Sequence, residues 1–122
     1  MAESLVQSQA RLWYASQGVR LFRNNSGVLP DANGRPVRFG LANGSAAVNA
    51  RTKSSDLVGW RPVVITLDMV GQTIARVVSV ECKAEGWHLI PSDARGHAQK
   101  RWLDMVLTDG GEACFFTGIP QL

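Results

Sequence analysis

Along the first stretch of the chain the apolar positions Leu5, Val6, Ala10, Trp13 and Tyr14 recur at spacings of three and four. That period places them on one face of a helix over residues 3–17, and Gly18 follows as a helix-ending glycine. Val19-Arg20-Leu21-Phe22-Arg23 reads as a short strand and Asn24-Asn25-Ser26-Gly27 as a turn cluster. Residues 28–55 are rich in Gly, Asn, Ala and Arg and contain Pro30 and Pro36, so they read as one long irregular loop. Beyond Asp56 the composition shifts to β-branched runs. Residues 57–60 and 62–67 read as strand, 68–72 contain a turn, and 73–83 form the returning strand of an antiparallel hairpin. Ser92 is placed to cap a helix reaching about residue 108, with Ala98, Trp102, Met105 and Val106 facing inward and Gly110-Gly111 stopping it. Residues 113–117 read as a last buried strand. The order helix, strand, long loop, hairpin, helix, strand implies an α/β fold, a mixed sheet flanked by helices.

At 122 residues the chain fits one domain, 1–122, with a modest core that association with a second copy would help. No apolar run approaches the roughly 20 residues needed to cross a bilayer. Glu3 and several glutamines stand where a signal peptide would need an apolar stretch. The expected location is therefore the cytoplasm, with no membrane partner. Cys82 and Cys114 are too few for a tetrahedral thiolate site and read as buried reduced thiols. The net charge of +3 is mild, but its placement adds something: from Arg11 to Lys53 every charged residue is basic except Asp31. That asymmetry suits a polyanion, although a solvated basic face has the same pattern.

The returning strand carries Val80-Glu81-Cys82-Lys83. Alternation puts Val78, Val80 and Cys82 on one face and Glu81 and Lys83 on the other, near the strand end. Such a pair reads either as a surface charge pair or as part of a site. Asp56, at the entry to the preceding strand, favours the second reading, because a carboxylate entering a buried strand needs a partner or a metal. In the expected hairpin Asp56 approaches Glu81 and Lys83. Two carboxylates beside a lysine form an oxygen-rich site for a hard divalent cation, the chemistry that phosphodiester hydrolysis requires.

These residues resemble the PD-(D/E)xK nuclease signature, with Ser55 where a proline often stands. Over nearly its whole length the chain resembles the VRR-NUC (virus-type replication-repair nuclease) branch. Arg23-Asn24-Asn25-Ser26-Gly27 is similar to that branch's Arg-x-Asn-x-Gly segment, and Ser55-Asp56-Leu57-Val58-Gly59 to its Ser-Asp-Leu-Ile-Gly block. Glu81-Cys82-Lys83 corresponds to its Glu-x-Lys strand, and His97-Ala98-Gln99-Lys100-Arg101-Trp102 to the helix that brings a glutamine to the site. Glu3 matches an acid near the metal. The hairpin and the loop of residues 28–53 are both longer than a minimal member needs.

The resemblance implies a restriction-endonuclease-like fold and a DNA endonuclease dependent on Mg2+ or Mn2+. It implies Asp56 and Glu81 as metal ligands, joined by the backbone carbonyl of Cys82 and by Glu3, with Lys83 as catalytic lysine and Gln99 orienting a water or Lys83. Glu3 also has a simpler role beside its helix dipole. Arg23 and Asn25 read as phosphate contacts or as turn builders; Arg35, Arg38, Arg51 and Lys53 read as contacts to a nucleic-acid backbone. His88 and His97 lack a partner set and read as surface or packing residues. Of the four tryptophans, Trp13, Trp60 and Trp102 read as core and Trp87 as the exposed one. Small stand-alone members of this branch are phage proteins resembling Holliday-junction resolvases, so branched DNA, a homodimer and the host-cell cytoplasm are expected. A flap or single-strand nuclease of the same fold, and a catalytically silent nucleic-acid-binding module, are the alternatives.

Overall fold

The computed structural model describes residues 2–121. Helices and small sheets alternate in a mixed α/β chain that divides into two compact units, one ending at Arg61 and the other beginning at Pro62.

In the first unit, α1 (Glu3–Ala15) ends where Gly18 adopts φ 77 and the Gly18 and Val19 amides donate to Ala15 and Tyr14 carbonyls. The expected apolar face of this helix is not buried: Leu5, Val6, Trp13 and Tyr14 are all exposed. β1 (Arg20–Arg23) forms as the sequence indicates. Residues 28–55, expected to be irregular, instead contain a hairpin of β2 (Gly27–Pro30) and β3 (Pro36–Phe39), then α2 (Ala46–Arg51). The hairpin turn is built by Asp31, whose Oδ1 accepts from the Asn33 and Arg35 amides at 2.8 Å each, and by Gly34 at φ 78. Ser45 caps α2 by accepting from the Val48 amide. The unit closes with β4 (Leu57–Trp60), which pairs antiparallel with β1, Arg23 opposite Leu57 and Arg20 opposite Trp60. Phe22 and Trp60 stack across that pair at 5.2 Å.

The second unit begins with residues 62–77, where the expected strand 62–67 is absent. Among these residues only a single 3-10 turn, Leu67–Met69, is regular, and Val64, Ile65 and Leu67 are 86%, 73% and 91% exposed. A β-branched run becomes a strand only when a neighbour completes its ladder, and the expected neighbour pairs elsewhere. β5 (Val78–Cys82) lies parallel to β6 (Glu112–Phe116), so the expected antiparallel hairpin does not form. α3 (Ala94–Thr108) makes the crossover between these parallel strands. Its cap is Asp93 rather than Ser92: Asp93 Oδ1 accepts from the Gly96 amide at 2.8 Å. β7 (Pro120–Gln121), which the sequence did not indicate, pairs antiparallel with β6. The buried apolar side chains are Leu103 and Val106 on α3 and Ala113 and Phe115 on β6. Of the expected inward residues of α3, Val106 is buried and Met105 half-buried, but Ala98 and Trp102 are exposed. Neither cysteine is a buried thiol as expected; Cys82 is exposed, Cys114 half-buried, and both are free.

Candidate functional site

Within the second unit, strand alternation sends Ser79, Glu81 and Lys83 to the half-buried side of β5 and leaves Val78, Val80 and Cys82 exposed. The polar face is thus the one that α3 covers. Gln99 Nε2 donates to Glu81 Oε1 at 2.8 Å, and the Trp102 indole N–H donates to Ser79 Oγ at 2.9 Å. Gln99 Oε1 is buried and has no hydrogen-bond partner. Its amide is oriented by the carboxylate it serves, so this acceptor is held next to Glu81 with its capacity unused. A buried acceptor without a protein partner is ordinarily met by a water or an ion.

Lys83 follows β5 and extends its ladder, its amide donating to the Phe116 carbonyl at 2.9 Å. The chain then turns at Gly86 (φ 82), with the Trp87 amide donating to Ala84 O, and this return brings the Trp87 ring under Lys83. The ammonium lies 5.2 Å from the ring centroid, and the ring packs on Phe115 at 4.7 Å. Trp87, expected to be exposed, is half-buried as the platform that positions Lys83; Trp13 is the most exposed tryptophan, 57% accessible. No motif marked this role, although the glycine before Trp87 signalled the turn that creates it.

In the first unit Asp56 stands at the entry to β4, as expected, but it is exposed and the strand it enters is only half-buried. It lines a polar cleft of about 220 Å³ with Gln7, Asn24, Asn25 and Ser26. Asn24 holds this cleft together. Its Nδ2 donates to Ser54 Oγ and to the Ser55 carbonyl at 2.8 Å each, and its Oδ1 accepts from the Leu41 amide at 3.1 Å. Its own amide donates to the Asp56 carbonyl at 2.8 Å. Asn24→Ala therefore removes the side-chain clasp on the segment that carries Asp56. With roughly 1 kcal/mol for each lost bond, a loss of about 2–3 kcal/mol is expected, measurable as a lower urea midpoint with an unchanged slope.

Sequence reasoning missed Asn24 and Gln7 as site residues. Gln7 lies one turn beyond Glu3 on α1, so the helix face chosen for Glu3 also presents Gln7. Glu3 itself is exposed in the first turn and is not among the residues lining this cleft. Arg23 is exposed at the end of β1, and Asn25 lines the Asp56 cleft. Arg38 and Lys53 line a second cleft, Arg35 sits at the β2–β3 turn, and Arg51 is exposed on the last turn of α2. His97 rests against the Ile90 carbonyl at 3.1 Å and His88 is exposed.

The donors around Glu81 and around Asp56 are carboxylates, amides and a hydroxyl, the hard ligands that Mg2+ and Mn2+ prefer, and the orphaned Gln99 Oε1 suits a water in such an ion's shell. Among the described residues no group of three or more His, Cys, Asp and Glu gathers as a metal cluster. Magnesium sites commonly use only one or two carboxylates, with water filling the remaining positions. Among the same residues no helix is long and apolar enough to cross a membrane. No known family, curated protein or solved structure matches this chain.

Proposed function

We propose that this chain is a divalent-metal-dependent endonuclease that hydrolyses DNA phosphodiester bonds, of the VRR-NUC type and with a restriction-endonuclease-like arrangement. The observation that carries the reading is the Gln99–Glu81 hydrogen bond of 2.8 Å on the strand face that Lys83 shares. A helix glutamine meeting the acid of a Glu-x-Lys strand is the juxtaposition that the resemblance implies, and a chance surface charge pair does not require it.

In this reading the ligands of Mg2+ or Mn2+ are those the resemblance implies, Asp56, Glu81, the Cys82 carbonyl and Glu3. When bound, the ion polarises a phosphate oxygen and offsets charge in the transition state. Gln99 Nε2 donates to the Glu81 carboxylate and fixes it, and Gln99 Oε1 accepts a hydrogen bond from a water. Lys83, steadied by Trp87, stabilises negative charge developing on the phosphate. Arg23, Asn25, Arg35, Arg38, Arg51 and Lys53 hold the DNA backbone, giving affinity without sequence preference. The preferred substrate is branched DNA, and the working form is a homodimer, whose twofold symmetry suits a four-way junction. The apolar surface at Val64, Ile65, Leu67 and Val70 is available for such an association.

The test is cleavage of labelled four-way junction, flap, single-stranded and duplex DNA by the whole protein with Mg2+, Mn2+ or EDTA. Cutting that needs the metal and favours the junction is expected. A preference for flaps or single strands would change the substrate assignment. Tight binding without cutting of any substrate would replace the enzyme by a nucleic-acid-binding module.

A further inference from the structure

We propose that the cleft between the β2–β3 hairpin and α2 binds a single nucleotide, its phosphate on Arg38 and Lys53 and its sugar and base along Val28 and Leu41. The choice of ligand rests on the nuclease reading; the site does not involve Glu81, Lys83 or Gln99. The cleft encloses about 290 Å³. Small-molecule sites begin near about 300 Å³, so the space suits one nucleotide rather than a length of strand.

Its charge is one-sided, since Arg38 and Lys53 line it and no acid does. An ordinary solvated surface mixes both signs, whereas an anion site excludes carboxylates. Arg38 is also held in place. Its Nη1 donates to Asn43 Oδ1 at 3.2 Å, and Asn43 Nδ2 in turn donates to the Gly27 and Phe39 carbonyls at 2.8 Å each. Asn43 is thereby anchored to both hairpin strands, and the remaining guanidinium N–H groups are presented from a fixed base. Positioning of this kind lowers the ordering cost of binding a phosphate. Ala42, also in the lining, adopts φ 56, a left-handed conformation unusual outside glycine and of the kind that gathers at ligand-binding loops.

The cleft adjoins the one that contains Asp56, because Ser26 lines both. A strand whose phosphate sits beside Asp56 therefore has its neighbouring nucleotide within reach of Arg38 and Lys53. The cleft so defined holds the residue next to the cut and not the scissile phosphate.

Titration of the 15N-labelled whole protein in EDTA with a deoxynucleoside 5′-monophosphate, the matching nucleoside and inorganic phosphate tests this. The monophosphate is expected to shift the Ser26, Arg38 and Asn43 amides with millimolar affinity, more tightly than either fragment. Lys53→Ala, at an exposed side chain, is expected to weaken it about fivefold or more, since a charge-assisted contact is lost, while Lys53→Arg retains binding. Absence of shifts at these amides would overturn the proposal. Equal binding of inorganic phosphate would also overturn it, leaving an anion site, as would an unaffected Lys53→Ala protein. A protein that cuts DNA but binds no monophosphate here would lose this pocket alone; one that binds it but never cuts would lose the nuclease reading alone.

Discussion

Lys83→Ala is expected to slow metal-dependent DNA cleavage about 10²–10³-fold, the usual effect of removing one donor aimed at transition-state charge. The size follows from where Lys83 sits. Its amide stays in the β5–β6 ladder whatever the side chain, so the fold should survive, and its ammonium rests over Trp87 as a fixed charge. Loss of the cation–π contact costs about 0.5–1 kcal/mol of stability, so kcat should collapse while the melting midpoint falls by only roughly 2–8 °C. Trp87→Ala separates positioning from chemistry. It keeps the charge but removes its platform, and a loss of about tenfold in kcat with little change in KM is expected. Trp87→Phe should restore most of the rate by returning an aromatic face. Single-turnover cleavage at saturating Mg2+ measures both. A Lys83→Ala protein that cuts as fast as the parent would remove Lys83 from the mechanism, and a Trp87→Ala protein with an unchanged rate would reduce Trp87 to packing.

The parts of this fold legible in the sequence are those whose signals are local. α1, β1, α3 and β6 follow from periodicity, β-branched runs and the glycines that end them. The hairpin of residues 57–83 failed because a ladder partner is not a local property. β4 found β1, β5 found β6, and the run at 62–67 was left without a partner strand. The β2–β3 hairpin was overlooked although Asp31 and Asn33-Gly34 carry the chemistry of a tight turn, because the basic, glycine-rich composition masked it. At the site, alternation grouped Glu81 with Lys83, but the buried thiol expected at Cys82 put packing on the opposite face, which is exposed. A helix bearing Gln99 and Trp102 finds hydrogen-bond partners in Glu81 and Ser79, and that pairing decides which side is covered. Trp87 and Asn24 were invisible for the same reason: each acts through partners brought in by tertiary structure, the first through Lys83 and the second through Ser54, Ser55 and Leu41.

The largest expected loss of stability comes from adding a single carbon at Gly59. This residue pairs with Leu21 in the β1–β4 ladder, and a Cβ there would fall on the Arg20 carbonyl, with the Arg20 carbonyl carbon 2.7 Å and Leu21 Cα 2.9 Å away. The obstacle is backbone, so no rotamer change relieves it. The β1–β4 sheet has only two short strands and must open to admit the methyl group. Overpacking usually costs about 1–3 kcal/mol; with backbone on the receiving side, Gly59→Ala should reach about 3 kcal/mol. At roughly 4–8 °C per kcal/mol for a small domain, that lowers the midpoint by roughly 12–24 °C. Gly44→Ala is the matched control, because a Cβ there meets nothing within 4 Å, and its melting curve should stay close to the parent's. Circular dichroism melts give the size, and hydrogen exchange at Leu21, Phe22 and Val58 gives the place. The damage should also reach function before global unfolding. Asp56 is three residues before Gly59, and the Asn24 amide bonds the Asp56 carbonyl just beyond the end of the same ladder. Prising β4 from β1 therefore displaces the proposed metal ligand, and cleavage should fall at temperatures where the rest of the protein is still folded. If Gly59→Ala melts with the parent and exchanges no faster in β1 and β4, this close approach does not hold the unit together.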